Sequence, residues 1–170
     1  MVTGTLSLKE MVVQQQNTHW NIINQPLGFL IFLICAFAEC NRTPFDLPEA
    51  ENELIGGYHT EYSSMKLGFY LFSEYINMFI SSVIMATLFF GGYDIPFVNE
   101  ANHSANWMAL FGVLALMLKV SFFIFLFMWV RWTIPRFRYD QLMHLGWRVL
   151  IPLALFNMLV TGGVILYFNK

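Results

Sequence analysis

Charge is what this chain has least of. Only 12% of its 170 residues are Asp, Glu, Lys or Arg, and 57% are hydrophobic, with 18 Phe and 10 Met. A soluble domain carries about 25% charged residues, so this composition points to an integral membrane protein. A net charge of -2 without a basic cluster excludes a nucleic-acid binder. There are only 2 cysteines. Cys35 and Cys40 stand five apart, on different faces of a helix, which argues for packing and against a disulfide or metal pair. His19, His59, His103 and His144 lack metal-ligand spacing. There is no nucleophile–base pattern and no glycine-rich phosphate loop. The start, MVTGTLSLKEMVVQQQ, lacks the positive n-region and apolar core of a signal peptide. No internal repeat or low-complexity linker divides the chain, and residues 1–170 read as one membrane domain.

Against that background one stretch stands out, Ala38 to Tyr62, AECNRTPFDLPEAENELIGGYHTEY. It holds Glu39, Asp46, Glu49, Glu51, Glu53 and Glu61, six of the 11 acidic residues, and a single basic residue, Arg42. It lies between apolar runs, where carboxylates are costly. Pro44 and Pro48 interrupt any helix there. Asp46-Leu47-Pro48-Glu49 predicts a helix start, with Asp46 as N-cap and Glu49 at the third position, and Gly56-Gly57 predicts its end. A capped surface helix with solvated acids is the plainer reading. Arg42, three residues after Glu39, is placed to stabilise that carboxylate or to bind an external anionic or carbonyl group.

Four spans are expected. The apolar run Leu27 to Ala38 covers only about 18 Å of a ~30 Å hydrocarbon core. To cross, its helix must begin near the interfacial Trp20 and continue past Glu39, with Pro26 as a kink and Glu39 below the surface. Leu67 to Phe90 contains Glu74, about 12 Å along the helix from Lys66. Tyr70, Glu74, Asn77 and Ser81 share one face. Asn77 and Ser81 are ordinary interhelical glue, whereas an intramembrane carboxylate reads as functional. Trp107 to Val130 places Lys119 near the midplane, with Gly112 and Ala115 on its face for close helix approach. Glu74 is the expected counter-charge of Lys119, in a functional or a purely structural pair. Val149 to Phe168 carries Pro152 and, on one face, Asn157 and Thr161, which read as glue. Arg131, Arg136, Arg138 and Arg148 make 131–148 basic, while 91–106 has no Lys or Arg. The positive-inside rule therefore puts 131–148 and the acidic stretch on the cytoplasmic side. Acids at graded depth, Glu49, Glu51 and Glu53 outermost, Glu39 at the margin, Glu74 and Lys119 within, outline a proton relay or ion vestibule.

The stretch Ala38–Tyr62, the later SEYINM and IPRFRYDQLMHLGW together resemble the H subunit of respiratory complex I, the proton-translocating NADH:quinone oxidoreductase. The resemblance runs over the whole chain and corresponds to the C-terminal half of that family's fold, the N-terminal half being missing or a separate chain. Cys40 stands where the family usually has Thr. The resemblance implies an all-α polytopic membrane subunit with about four transmembrane helices, joining the peripheral arm to the membrane arm and forming part of the quinone channel. It implies that Glu39, Glu49, Glu51, Glu53 and Glu74 couple quinone reduction to proton translocation, joined by Lys119 on the reading of the residues. It implies that Arg42, Pro44, Phe45, Asp46 and Glu61 belong to the loop beside the quinone chamber, and that Arg136, Arg138 and Asp140 face a partner. No redox catalytic residue and no metal site are expected. Quinone is the substrate of the complex, and flavin and iron–sulfur clusters sit in other subunits. The implied partners are the peripheral quinone module, small membrane subunits and lipid. The implied location is a bacterial inner membrane, or a mitochondrial one. Alternatives are the membrane anchor of an energy-converting hydrogenase, which the PFDLPEAE match disfavours, a stand-alone ion transporter, for which four spans with an unpaired half-repeat are poorly suited, and a purely structural anchor.

Overall fold

The computed structural model describes residues 3–94 and 105–168. Part of the segment 91–106, which has no Lys or Arg, lies outside them. Every regular element among the described residues is helical: α1 (Leu8–Asn17), α2 (Asn21–Asn24), α3 (Pro26–Glu39), α4 (Leu47–Ile55), a 3₁₀ turn (Gly57–Thr60), α5 (Ser64–Phe89), α6 (Ala105–Thr133), α7 (Tyr139–His144), a π-helical turn (Leu145–Leu150) and α8 (Ile151–Phe168). Three helical stretches are long and apolar enough to cross a membrane: Ser64–Phe89, Ala109–Thr133 and Tyr139–Tyr167. The chain is a helical polytopic membrane protein, as expected, with α3 as a shorter apolar helix.

Two expected boundaries are corrected. The first span is not one helix from Trp20 past Glu39. The chain breaks at Gln25 (φ -138, ψ 58), and α3 starts with Pro26, whose missing N–H costs nothing in a first turn. Pro26 opens a helix instead of kinking one. Cys40 caps α3, so its 14 residues rise only about 21 Å. The break has a use: the Gln25 amide donates to Thr161 Oγ1 (2.8 Å) and accepts from Asn157 Nδ2 (3.0 Å), which ties α8 to the α2–α3 joint. Asn157 and Thr161 are thus the glue the sequence suggested. The last span, in turn, begins ten residues before Val149, because α7 and the π-helical turn run straight into α8. The basic segment is mostly helix, not loop.

The core lies where α3, α5 and α6 meet. It joins Ala36, Phe37 and Cys40 to Met78, Met85 and Ala86 and to Val120, Phe123 and Phe127. Phe37 and Phe127 rings sit 4.3 Å apart, and the Cys40 thiol donates to Ser81 Oγ at 3.4 Å. Gly112 is buried against Tyr93 in the turn after α5, whose carbonyl lies 3.4 Å from where a Cβ would stand, so its neighbour here is a turn and not a helix. Antiparallel α5 and α6 are in a definite register. Tyr75 and Met78 lie beside Phe127, Met128 and Arg131, while Lys119 reaches the carbonyl of Phe90. Glu74 therefore stands level with Arg131 at one end, and Lys119 with the last turn of α5 at the other.

Candidate functional site

The acidic stretch folds over the end of the bundle where α6 finishes. Leaving α3, the chain turns through Asn41 (φ 47) and a cis Thr43–Pro44 peptide. Arg42, Thr43, Phe45 and Asp46 are all buried. The Pro44 carbonyl accepts from Phe137 N at 3.0 Å, and the Phe45 and Phe137 rings pack at 5.6 Å. These two contacts lock the α3–α4 turn to the segment after α6. Asp46 caps α4 as predicted, accepting from Glu49 N (3.3 Å), and Gly56 in the left-handed region (φ 88) ends the helix.

Charged side chains then meet. Arg136 pairs with Glu53 at 3.0 Å and stands 3.8 Å from Asp46 and 4.0 Å from Glu49; Arg131 stands 3.6 Å from Glu49. The basic and acidic segments thus share one end of the molecule, as the charge pattern required. Burial pushes the Asp46 carboxyl up to about 7, and its hydrogen bond with the Glu49 side chain adds to the shift. The same hydrogen bond holds Glu49 below its ordinary value, with Arg131 and Arg136 assisting against partial desolvation. The pair behaves as one carboxylic acid donating to one carboxylate, and holds a proton close to neutral pH.

Arg42 is the buried cation of the site. Its guanidinium lies over the Tyr75 ring, 4.6 Å from the centroid. Its Nε is buried and has no hydrogen-bond partner among the described residues. It borders a cavity of about 100 Å³ with Tyr75, Met78, Phe127, Met128, Arg131 and Trp132. No carboxylate comes within ion-pair distance of it among the described residues, so the expected service to Glu39 is not seen. Arg42 turns into the bundle, whereas Glu39 is exposed at the end of α3. Glu74 is half-buried, and the charges acting on it are those of Arg42, Glu49 and Arg131.

The remaining expected residues separate by position. Glu51 and Glu61 are exposed and make no ion pair within 4 Å among the described residues. The Arg138 backbone N–H donates to Gln141 Oε1 at 3.2 Å at the start of α7. Asp140 is exposed beside a largely apolar groove formed with Phe137, Gln141, His144 and Leu145. Arg136, expected to face a partner, pairs with the chain's own acids. The expected Glu74–Lys119 pair is absent. Lys119 gives its ammonium to the carbonyls of Phe90, Gly92 and Asp94. Sixteen residues of helix separate Glu74 from Phe90, about 24 Å. Sequence locates each charge by depth in its own helix, without the offset between helices. Arg131, Tyr75 and Phe137 join the site without having been expected there. The only sequence signal for Arg131 is its charge, opposite in sign to the acids on the same predicted side.

The fold and this charged end define a helical membrane protein that holds coupled ionisable groups at one margin of its bundle. A family profile described as NADH dehydrogenase matches residues 1–162. The NADH-quinone oxidoreductase H subunit numbered 1 in Cytophaga hutchinsonii is 64% identical over 168 residues, covering 99% of this chain and 49% of that protein. The H subunit of Flavobacterium psychrophilum is 66% identical over 171 residues (99% and 50%), and NADH-quinone oxidoreductase subunit 8 of Rhodothermus marinus is 48% identical over 175 (96% and 51%). The chain belongs to the NADH dehydrogenase family, with H subunits of NADH-quinone oxidoreductase as its relatives. It spans about half the length of the curated relatives it matches.

Proposed function

We propose that the chain is a membrane subunit of a proton-translocating NADH:quinone oxidoreductase in a bacterial inner membrane. It forms part of the quinone channel and couples quinone reduction, carried out in other subunits, to proton movement. The observation that carries this reading is Arg42: a buried guanidinium whose Nε has no partner among the described residues, at the edge of a cavity and beside the Asp46–Glu49 carboxyl pair, in which burial pushes Asp46 up. A buried unpaired N–H calls for an acceptor, and a quinone carbonyl or quinolate oxygen is such an acceptor. A cavity of about 100 Å³ admits a polar group and a few waters, not a ring and its tail, since ligand sites run to roughly 300 Å³ or more. The remaining channel wall belongs to the rest of the assembly, with the peripheral quinone module against Arg138 and Asp140.

In this reading a change of charge at the quinone acts on Arg42, then on Glu74 and the Asp46–Glu49 pair, whose protons shift in concert. Glu39, Glu51, Glu53 and Glu61 supply the outer acids of the same loop. Replacing Glu74 by Gln removes the innermost of these carboxyls while keeping its shape. The expected result is a several-fold fall in coupled NADH:quinone turnover, with NADH oxidation by an artificial acceptor unchanged. Normal coupled turnover in an assembled variant would remove Glu74 from the route.

A further inference from the structure

The other end of α5 carries an arrangement that the quinone reading does not use. Lys119 Nζ lies 2.7 Å from Phe90 O, 2.9 Å from Gly92 O and 2.6 Å from Asp94 O. A lysine ammonium has three N–H donors and no acceptor, so each donor has one carbonyl. The Trp20 ring sits 4.9 Å from Nζ, and the indole N–H donates to Asp94 Oδ2 at 3.2 Å. Gln15, almost wholly buried, braces the same turn: it donates to Thr87 O at 3.1 Å and accepts from Gly91 N (3.1 Å) and Asn21 N (3.2 Å). Asn21 adds a bond to Leu88 O at 2.9 Å. A helix C-terminus leaves its last carbonyls unpaired and partly negative. Here Gln15 from α1, Asn21 from α2 and Lys119 from α6 take up the carbonyls of Thr87, Leu88 and Phe90.

Converging carbonyls that replace a hydration shell, with an aromatic face alongside, are the chemistry of a site for a monovalent cation. We propose that the end of α5 is a cation cage, filled by the chain's own Lys119 as a tethered ammonium, and that a free primary ammonium takes its place when that side chain is shortened. Lys119 is then a positioning residue that fastens α6 and the Trp20 turn to α5. This assignment stands apart from the quinone reading and survives its failure.

The test is chemical rescue of Lys119→Ala in the native membrane assembly that contains this chain. The expected result is a thermal midpoint lowered by several degrees and at least half restored by n-propylammonium, with no recovery in tetramethylammonium at equal ionic strength. Tetramethylammonium has the charge but no N–H. No recovery with propylammonium, or equal recovery with both cations, would overturn the cage. Lys119→Met, which keeps the stem and fills the space, carries the test if the Ala variant does not accumulate. It is expected to be destabilised and unresponsive to propylammonium, and a Met variant as stable as the parent would equally overturn the proposal.

Discussion

At Asp46 one side chain does two jobs. Oδ1 caps α4, and the carboxyl shares a hydrogen bond with Glu49. With its value raised from 3.8 to about 7, the native state binds more protons than the unfolded chain between those pH values. Stability from this group is therefore full below pH 3.8 and declines as pH rises towards about 7. Glu49 has the opposite sign: its value is lowered from 4.5, so its contribution is present above that pH and is lost on acidification through its folded value. Asp46→Asn keeps an N-cap of equal quality and removes the first titration. We expect its thermal midpoint to lack the decline expected of the parent from about pH 4 to 7, measured as a pH series on the two proteins. An unchanged decline would assign it to other groups. The capping role is legible in the sequence, because Asp-x-x-Glu spacing is local. The raised value is not, because it comes from burial, and from the Glu49 side chain held against it, which only folding creates.

At the scale of elements, α4 depends on its two ends. Gly56 closes it with φ 88, where a β-carbon is strained and would also stand 3.1 Å from the Thr60 methyl. Gly56→Ala should cost about 1–2 kcal/mol of local stability, read as faster amide exchange across Leu47–Ile55 with α5 unaffected. Equal exchange rates in parent and variant would show that the tertiary contacts of the loop, not the cap, hold this helix. The limits of α4 and of α5 are readable from Pro, Gly and apolar runs. Those of α3 and α8 are not. The break at Gln25 is favoured by side-chain bonds to Asn157 and Thr161, which lie more than 130 positions away. The extension of α8 back to Tyr139 crosses Arg148 and Trp147, polar and interfacial residues that look like loop but are at home on the outer turns of a helix entering the headgroup layer.

Across the whole molecule, charge is sorted by end. The pairs of Arg131 and Arg136 with Glu49 and Glu53 put the acidic stretch and the basic segment together, while Lys119 and Asp94 occupy the far end of α5. The positive-inside rule predicts that the first end is cytoplasmic. In a background lacking Cys35 and Cys40, a cysteine at Arg138 should react with an impermeant maleimide from the cytoplasmic face only, and one at Tyr93 from the opposite face only. Both positions are exposed. Labelling from a common face would refute the arrangement. The last span has no buried residue in its apolar window, so its outer faces are left for lipid or for neighbouring subunits.

Composition and local pattern were enough to establish a helical membrane protein, three of its apolar helices, the capped α4 and the side shared by the acidic and basic segments. Each of these follows from hydropathy, helical period or net charge, which are sums over neighbours in the chain. The partners of individual charges required the tertiary structure. Arg136 with Glu53, Arg42 with Tyr75, and Lys119 with three carbonyls instead of Glu74 all depend on how the elements are offset against one another. Between α5 and α6 that offset is set by packing of Met78, Met85 and Ala86 against Val120, Phe123 and Phe127, a fit between surfaces that no single stretch of sequence contains.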